Sequence, residues 1–191
     1  MYNAAKEEYI YAIAGGETMQ IIDYLERAAA QAKKDLIAHT DSLGITATPM
    51  AGYPNRFEYS MKDPDAALPE GWVMETNRAG TYLTTDFNSQ EGMKAESALS
   101  KYTTRMNIQD AFDKLCHSLA PSSYLNNRKY SYESVGDEIV VASPKQYEGD
   151  AIVPPGSTVI SYAEYVLMQE KANPTPAPQT RVFQKKFSPN G

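Results

Sequence analysis

Two histidines, one cysteine and a scatter of carboxylates are the groups in this chain that could do covalent chemistry. His39 and His117 stand alone, neither with a second ligand at a metal-binding spacing such as H-x-x-x-H. His39 falls on the apolar stripe of a long helical pattern, where a packed, hydrogen-bonded histidine is expected. His117 falls about half a turn off its helix's apolar face and should be exposed. Cys116 precedes it directly, so the two side chains diverge by about 100° and cannot act on each other. Cys116 reads instead as a small core residue.

Other constellations stop short as well. Pro64-Asp65 followed by Glu75 has the start of a metal-dependent nuclease pattern, but the lysine needed two residues on is Asn77. Asp63, Asp65 and Glu70 then read as turn and loop acids. Gly15-Gly16 between a strand and a helix is a geometry that can hold an anion, yet Glu17 in the first turn opposes one and the full phosphate-loop pattern is absent. No catalytic residue, metal or cofactor is expected.

Two stretches carry binding chemistry. Trp72, Arg78 and Tyr82 lie on one hairpin and could form an aromatic-and-guanidinium patch. The competing reading makes Trp72 a core anchor and Arg78 a solvated turn residue. Near the C-terminus, Arg181, Phe183, Lys185 and Phe187 alternate with Val182, Gln184 and Lys186, a strand pattern able to add to a sheet edge.

The elements that must position these groups emerge from period and punctuation. Ile22, Leu25, Ala29, Ala32, Leu36, His39 and Leu43 recur at three and four residues, predicting a helix from Glu17 to Leu43 between Gly15-Gly16 and Gly44. Ala29 and Ala32 let another element lie close. Before it, Glu8 to Ala14 suits a strand. After it, Thr46, Thr48, Pro49, Gly52 and Pro54 mark a loop. Arg56 to Met61 predicts a short strand. Trp72 to Thr76 and Thr81 to Thr85 predict a hairpin around the four-residue loop Asn77-Arg78-Ala79-Gly80.

Asn88 with Glu91 forms a capping-box variant opening a helix to about Thr103, its first turn weakened by Gly92. Asn107 caps a second helix carrying Ile108, Ala111, Phe112, Leu115, Cys116 and Leu119, stopped by Pro121. Lys129 to Glu133 and Glu138 to Ser143 predict another hairpin. Pro154, Pro155 and Gly156 make a loop, and Ser157 and Thr158 ahead of the next helix are loose hydroxyls. Ser161 with Glu164 is a full capping box, stapled by Ile160 and Tyr165, for a last helix to about Ala172. The fold class is α+β, a small, mainly antiparallel sheet packed against the long helix and two or three shorter ones. Residues 1–172 are expected to form one domain, 173–180 a stiff Pro-rich linker and 181–191 a basic tail.

With 42% apolar and 22% charged residues in 191, the chain can build a solid core. Its formal net charge of −6 argues against a nucleic-acid partner, because phosphate binding rests on surplus Lys and Arg. Of the 18 basic residues, Arg181, Lys185 and Lys186 stand in a tail without acids, so residues 1–180 set 15 basic against 24 acidic residues. This is an acidic body with a basic tail. The 14 tyrosines suit both sheet positions and binding surfaces. A lone cysteine allows no internal disulfide and fits a reducing cytoplasm. No signal peptide or membrane-spanning stretch is expected.

The order of Tyr9-Ile10-Tyr11 before the long helix, Leu68-Pro69-Glu70-Gly71-Trp72, Gly136-Asp137 with Ile139-Val140-Val141 and Pro144, and Pro154-Pro155-Gly156-Ser157-Thr158 leading to Ser161-Tyr162-Ala163-Glu164-Tyr165 resembles a family of small uncharacterised proteins of tailed phages and prophages of enteric bacteria. The resemblance covers residues 9–172. It implies a phage origin and a bacterial host cell, and brings no activity, cofactor or catalytic residue.

Three functions are compatible with these readings. The first is a non-enzymatic accessory protein that binds a host or phage protein, blocking an antiviral defence system in the host. The second is a protein that sequesters a nucleotide signal, using tyrosines and Arg78. The third is a minor virion or assembly component whose tail threads into a neighbouring subunit, which would also make the tail a route to a homo-oligomer.

Overall fold

The computed structural model describes residues 8–119, 128–145 and 151–174. The expected basic tail, with Arg181, Phe183, Lys185 and Phe187, and residues 175–180 of the linker lie outside the described residues. The class is α+β: eight antiparallel strands and four helices are described. In chain order they are β1 (Tyr9–Ile13), α1 (Gly16–Ser42), β2 (Ile45–Pro49), β3 (Phe57–Met61), β4 (Trp72–Asn77), β5 (Gly80–Thr85), α2 (Gln90–Met106), α3 (Ile108–Leu119), β6 (Ser131–Val135), β7 (Glu138–Pro144), β8 (Thr158–Ile160) and α4 (Tyr162–Ala172).

The strands divide between two four-stranded sheets, where the sequence pattern predicts one small sheet. The chain likewise divides into two compact units, one over Met1–Met19 and Leu119–Gly191 and the other over Gln20–Ser118. Each has its own apolar core.

In the second unit the sheet order is β2-β3-β5-β4. Alternation sends Ile45, Phe57, Trp72 and Leu83 inward, where they meet Ala32 and Leu36 of α1 and Leu99 and Met106 of α2. The small Ala32 is fully buried, so α1 lies close to this sheet as its composition predicts. Between Leu36 and Leu43, both packed on this core, the fully buried position is Thr40 rather than His39. Thr40 is fully buried and donates its hydroxyl back to the Ile37 carbonyl at 3.0 Å, which removes the cost of burying it.

Strand β2 occupies residues expected to be loop. Ile45 and Ala47 turn toward the core while Thr46 and Thr48 alternate outward, and Pro49 ends an edge strand, where a missing ladder donor costs nothing. The hairpin loop is also tighter than expected. Asn77 pairs with Gly80, leaving Arg78-Ala79 as a two-residue turn with Gly80 at φ 126°.

Helix α2 is capped one residue later than predicted, by Ser89, whose hydroxyl accepts from the Gly92 amide at 3.0 Å. Gly92 is no mere weakness in that first turn. A Cβ there would overlap the Asp86 carbonyl oxygen, so the glycine lets the incoming chain pass against the helix.

In the first unit the sheet order is β6-β7-β1-β8. β1 is central, pairing Tyr9 with Pro144 on one side and Tyr11 with Ile160 on the other. β8, three residues long, begins at Thr158, so a stretch expected to be loose ahead of the helix instead completes this sheet. Ser161 and Glu164 make the predicted reciprocal capping box, and Ile160 and Tyr165 share the core as its staple. Gly15 and Gly156 approach so closely that a Cβ on Gly15 would overlap the Gly156 carbonyl, and Thr18 donates to the Pro155 carbonyl at 2.6 Å. The paired glycines are a packing contact between two backbone segments.

Candidate binding site

The period-2 register of β1, β6 and β7 places Tyr9, Tyr11, Ser131, Glu133, Val140 and Ala142 on one face of the first unit's sheet. Helix α4 crosses that face, packing Tyr162, Tyr165, Met168 and Ala172 on Tyr11, Val135, Val140 and Ile160. An open cleft of about 310 Å³ remains beside the helix, lined by Tyr9, Tyr11, Ser131, Tyr132, Glu133, Val140, Ala142 and Tyr165.

Its wall is aromatic. The Tyr11 and Tyr165 rings stack, and Tyr162 tilts against both at 5.8 and 6.0 Å between centroids. Tyr165 donates its hydroxyl to Glu133 and accepts from the Gln169 amide at 2.9 Å. Gln169 also reaches Glu133 at 3.4 Å. Burial raises the Tyr165 phenol, and the Glu133 carboxylate that takes its proton's hydrogen bond raises it further. Burial also raises Tyr11, followed by its neighbour Tyr162 and then Glu133. Both phenols are pushed upward and stay neutral at ordinary pH, and Glu133 is the carboxylate of the lining.

Electron-rich ring faces beside an anchored carboxylate suit a cation. A Lys or Arg side chain over a tyrosine ring contributes about 0.5–2 kcal/mol, and an exposed ion pair about 0.2–1 kcal/mol more. A micromolar complex needs about 8 kcal/mol, so one basic side chain sets specificity within a longer contact. Among the described residues β6 is the outermost strand on its side of this sheet, and it gives the cleft Ser131, Tyr132 and Glu133 in succession.

The hairpin residues singled out from the sequence do not share one face. Trp72 is 4% exposed in the second unit's core, edge-on to Tyr59 at 5.2 Å between centroids. Tyr82 lies on the opposite face, 41% exposed, donating to Glu75 at 3.0 Å across the β4–β5 pair. Arg78 sits exposed in the turn. A wider cleft of about 570 Å³ runs along the β3–β5 seam, where Tyr59 and Leu83 form the paired position, and Tyr82 and Glu58 are among its lining.

His39 is half-buried, its ring 5.9 Å from that of Tyr102. It borders a cleft of about 400 Å³ with Glu70, Trp72, Glu91 and Lys94. These are residue types used in acid–base work, and nothing draws them into one hydrogen-bonded group. Among the described residues, no group of three or more His, Cys, Asp or Glu side chains is placed to hold a metal ion. His117, expected to be exposed, is instead largely covered and 3.0 Å from Asp113 one helical turn earlier. The i,i+4 spacing carried that signal. Cys116 is 4% exposed, and burial, then Asp113, pushes its thiol up to about 12.

Sequence reasoning missed Tyr11, Tyr165 and Glu133 as a group. The staple position of Tyr165 was legible, but its ring partner comes from the far end of the chain. No protein-family model, curated protein or solved structure matches the chain. Among the described residues, no helix is long and apolar enough to cross a membrane.

Proposed function

We propose that this protein acts by binding rather than turnover, taking up a basic segment of another protein with a Lys or Arg side chain in the tyrosine cleft. The stacked Tyr11–Tyr165 pair beside the tethered Glu133 carries this reading. The net charge of −6 supports it, since an acidic body draws basic partners by long-range attraction. The phage resemblance makes a host protein the partner, and blocking an antiviral system the consequence.

The sequestered-nucleotide reading is less well supported. The cleft's 310 Å³ lies at the lower limit for small-molecule sites, and Glu133 would repel phosphates. The wider seam cleft likewise presents Glu58.

The test is a titration of the full chain with short peptides differing in one central residue: Lys, Arg, Ala or Glu. Lys and Arg peptides should bind roughly tenfold or more tighter than the Ala peptide, the Glu peptide weakest, with the preference lost in Glu133→Gln. Equal binding of all four would overturn the reading.

A further inference from the structure

The second unit holds a further cleft, of about 270 Å³, whose lining brings together two opposite charges that do not pair. Arg56 reaches it from the residue just before β3, and Glu96 from helix α2. Among the described residues neither side chain makes an ion pair. Each is nevertheless positioned. The Met50 amide donates to the Arg56 carbonyl at 3.0 Å and the Arg56 amide to the Tyr53 carbonyl at 3.3 Å, which pins the loop between β2 and β3. The guanidinium lies over the Tyr53 ring, 5.0 Å from its centroid. From β5, the buried Thr85 donates its hydroxyl to one oxygen of Glu96 at 3.2 Å.

The complement of two separated, unpaired charges in a small cleft is a molecule that carries both. A purely anionic ligand would be repelled by Glu96 and a purely cationic one by Arg56. The guanidinium suits a carboxylate, which it can grip with two N–H groups. The anchored Glu96 suits an ammonium. Half-buried Tyr59 lines the same cleft, and burial, then Glu96, raises its phenol to about 12, so it stays a protonated donor. Phe57 and Leu99 give the lining an apolar part that asks for hydrocarbon. The volume falls below the range of about 300–1,000 Å³ that holds drug-sized ligands, which selects a smaller one.

We infer that this cleft binds a free α-amino acid with an apolar side chain, its carboxylate on Arg56, its ammonium on Glu96 and its hydrocarbon part against Phe57 and Leu99. The site goes beyond the binding of basic segments and does not depend on it. A ligand of so few atoms in an open cleft binds modestly, with a dissociation constant of about 0.1–1 mM.

The experiment titrates the ¹⁵N-labelled full chain with L-leucine, L-methionine and L-phenylalanine, followed by amide shifts. The tightest of the three is then compared with its deaminated acid and its decarboxylated amine, each of which keeps one charge. The amino acid should bind about tenfold or more tighter than either analogue, with shifts at Arg56, Thr85 and Glu96. Glu96→Gln should weaken the amino acid about tenfold without weakening the acid. Arg56→Gln should weaken the amino acid and the acid alike and spare the amine. Trp72 fluorescence checks that both variants fold, and the comparison of ligands on the wild-type chain decides without them. Absence of shifts with all three amino acids at about 10 mM would overturn the inference. So would a one-charge analogue that binds as tightly as the amino acid, or shifts confined to other residues.

Discussion

The Tyr11 and Tyr165 rings stack with centroids 4.1 Å apart and planes 12° from parallel, joining the central strand of one sheet to the helix that covers it. Tyr165→Ala removes the stack, the staple against Ile160 and the hydrogen bond to Glu133 together. It should cost about 2–3 kcal/mol in urea unfolding monitored by circular dichroism. Tyr165→Phe keeps the ring and loses the hydroxyl, costing about 1 kcal/mol. Equal losses would show that the ring stack contributes nothing.

Gly92 sets helix propensity against sterics. Alanine in a helix interior is better than glycine by about 1 kcal/mol, so propensity alone predicts that Gly92→Ala stabilises. The Cβ would collide with backbone at Asp86, which cannot swing aside as a side chain can. Collision should win, lowering stability by about 2 kcal/mol or more. Urea unfolding read by Trp72 fluorescence gives the sign directly.

Trp72 and Tyr82, adjacent in the sequence reading of the hairpin, should behave oppositely. Trp72→Ala empties a core site and should cost about 3–5 kcal/mol. Tyr82→Phe removes an exposed hydroxyl paired with Glu75 and should change stability by less than about 0.5 kcal/mol. Thermal melts of the two variants compare them.

Cys116 offers a clean chemical probe because it is the chain's one cysteine. Its thiol is pushed from 9.0 to about 12, which lowers the thiolate fraction at pH 8 roughly thousandfold. The greater nucleophilicity of a high-pKa thiolate returns part of that, leaving about 30-fold or more slower alkylation in the folded chain than in urea. Equal rates would mean that α3 does not bury this face.

Stability should fall at alkaline pH. Burial, then Glu96, raises Tyr59 from 10.0 to about 12. Unfolded chains release this proton near pH 10 while the folded protein keeps it, so the unfolded state binds fewer protons in between and gains with pH. The stabilisation is complete below pH 10 and is lost between 10 and 12, with Tyr165 acting in the same direction. Tyrosinate absorbance should show groups that titrate only as the protein unfolds.

The part of the fold legible in the sequence is local. The α1 stripe, the Ser161–Glu164 capping box and both hairpins depend on neighbours within a few residues, and all are present. Strand β2 is hidden because Pro49 reads as a breaker unless the strand is known to be an edge. The split into two sheets depends on β1 pairing with β7 and β8 from the other end of the sequence, which no short window contains. The same distance hides the tyrosine cleft, whose walls come from β1, β6, β7 and α4. Trp72 as core anchor is one of two readings the sequence allows, and the sheet register decides between them.

The central place of β1 has a consequence for synthesis on the ribosome. The strand is made well before either of its hydrogen-bonding partners, β7 and β8, with the whole β2-to-β5 sheet between them in the sequence. At about 5–20 residues per second, β1 waits on the order of ten seconds with two bare edges. The β2-to-β5 sheet meanwhile has every strand it needs in hand. The nascent chain therefore completes the β2-to-β5 sheet before the sheet built on β1, and any chaperone that guards it is needed at β1.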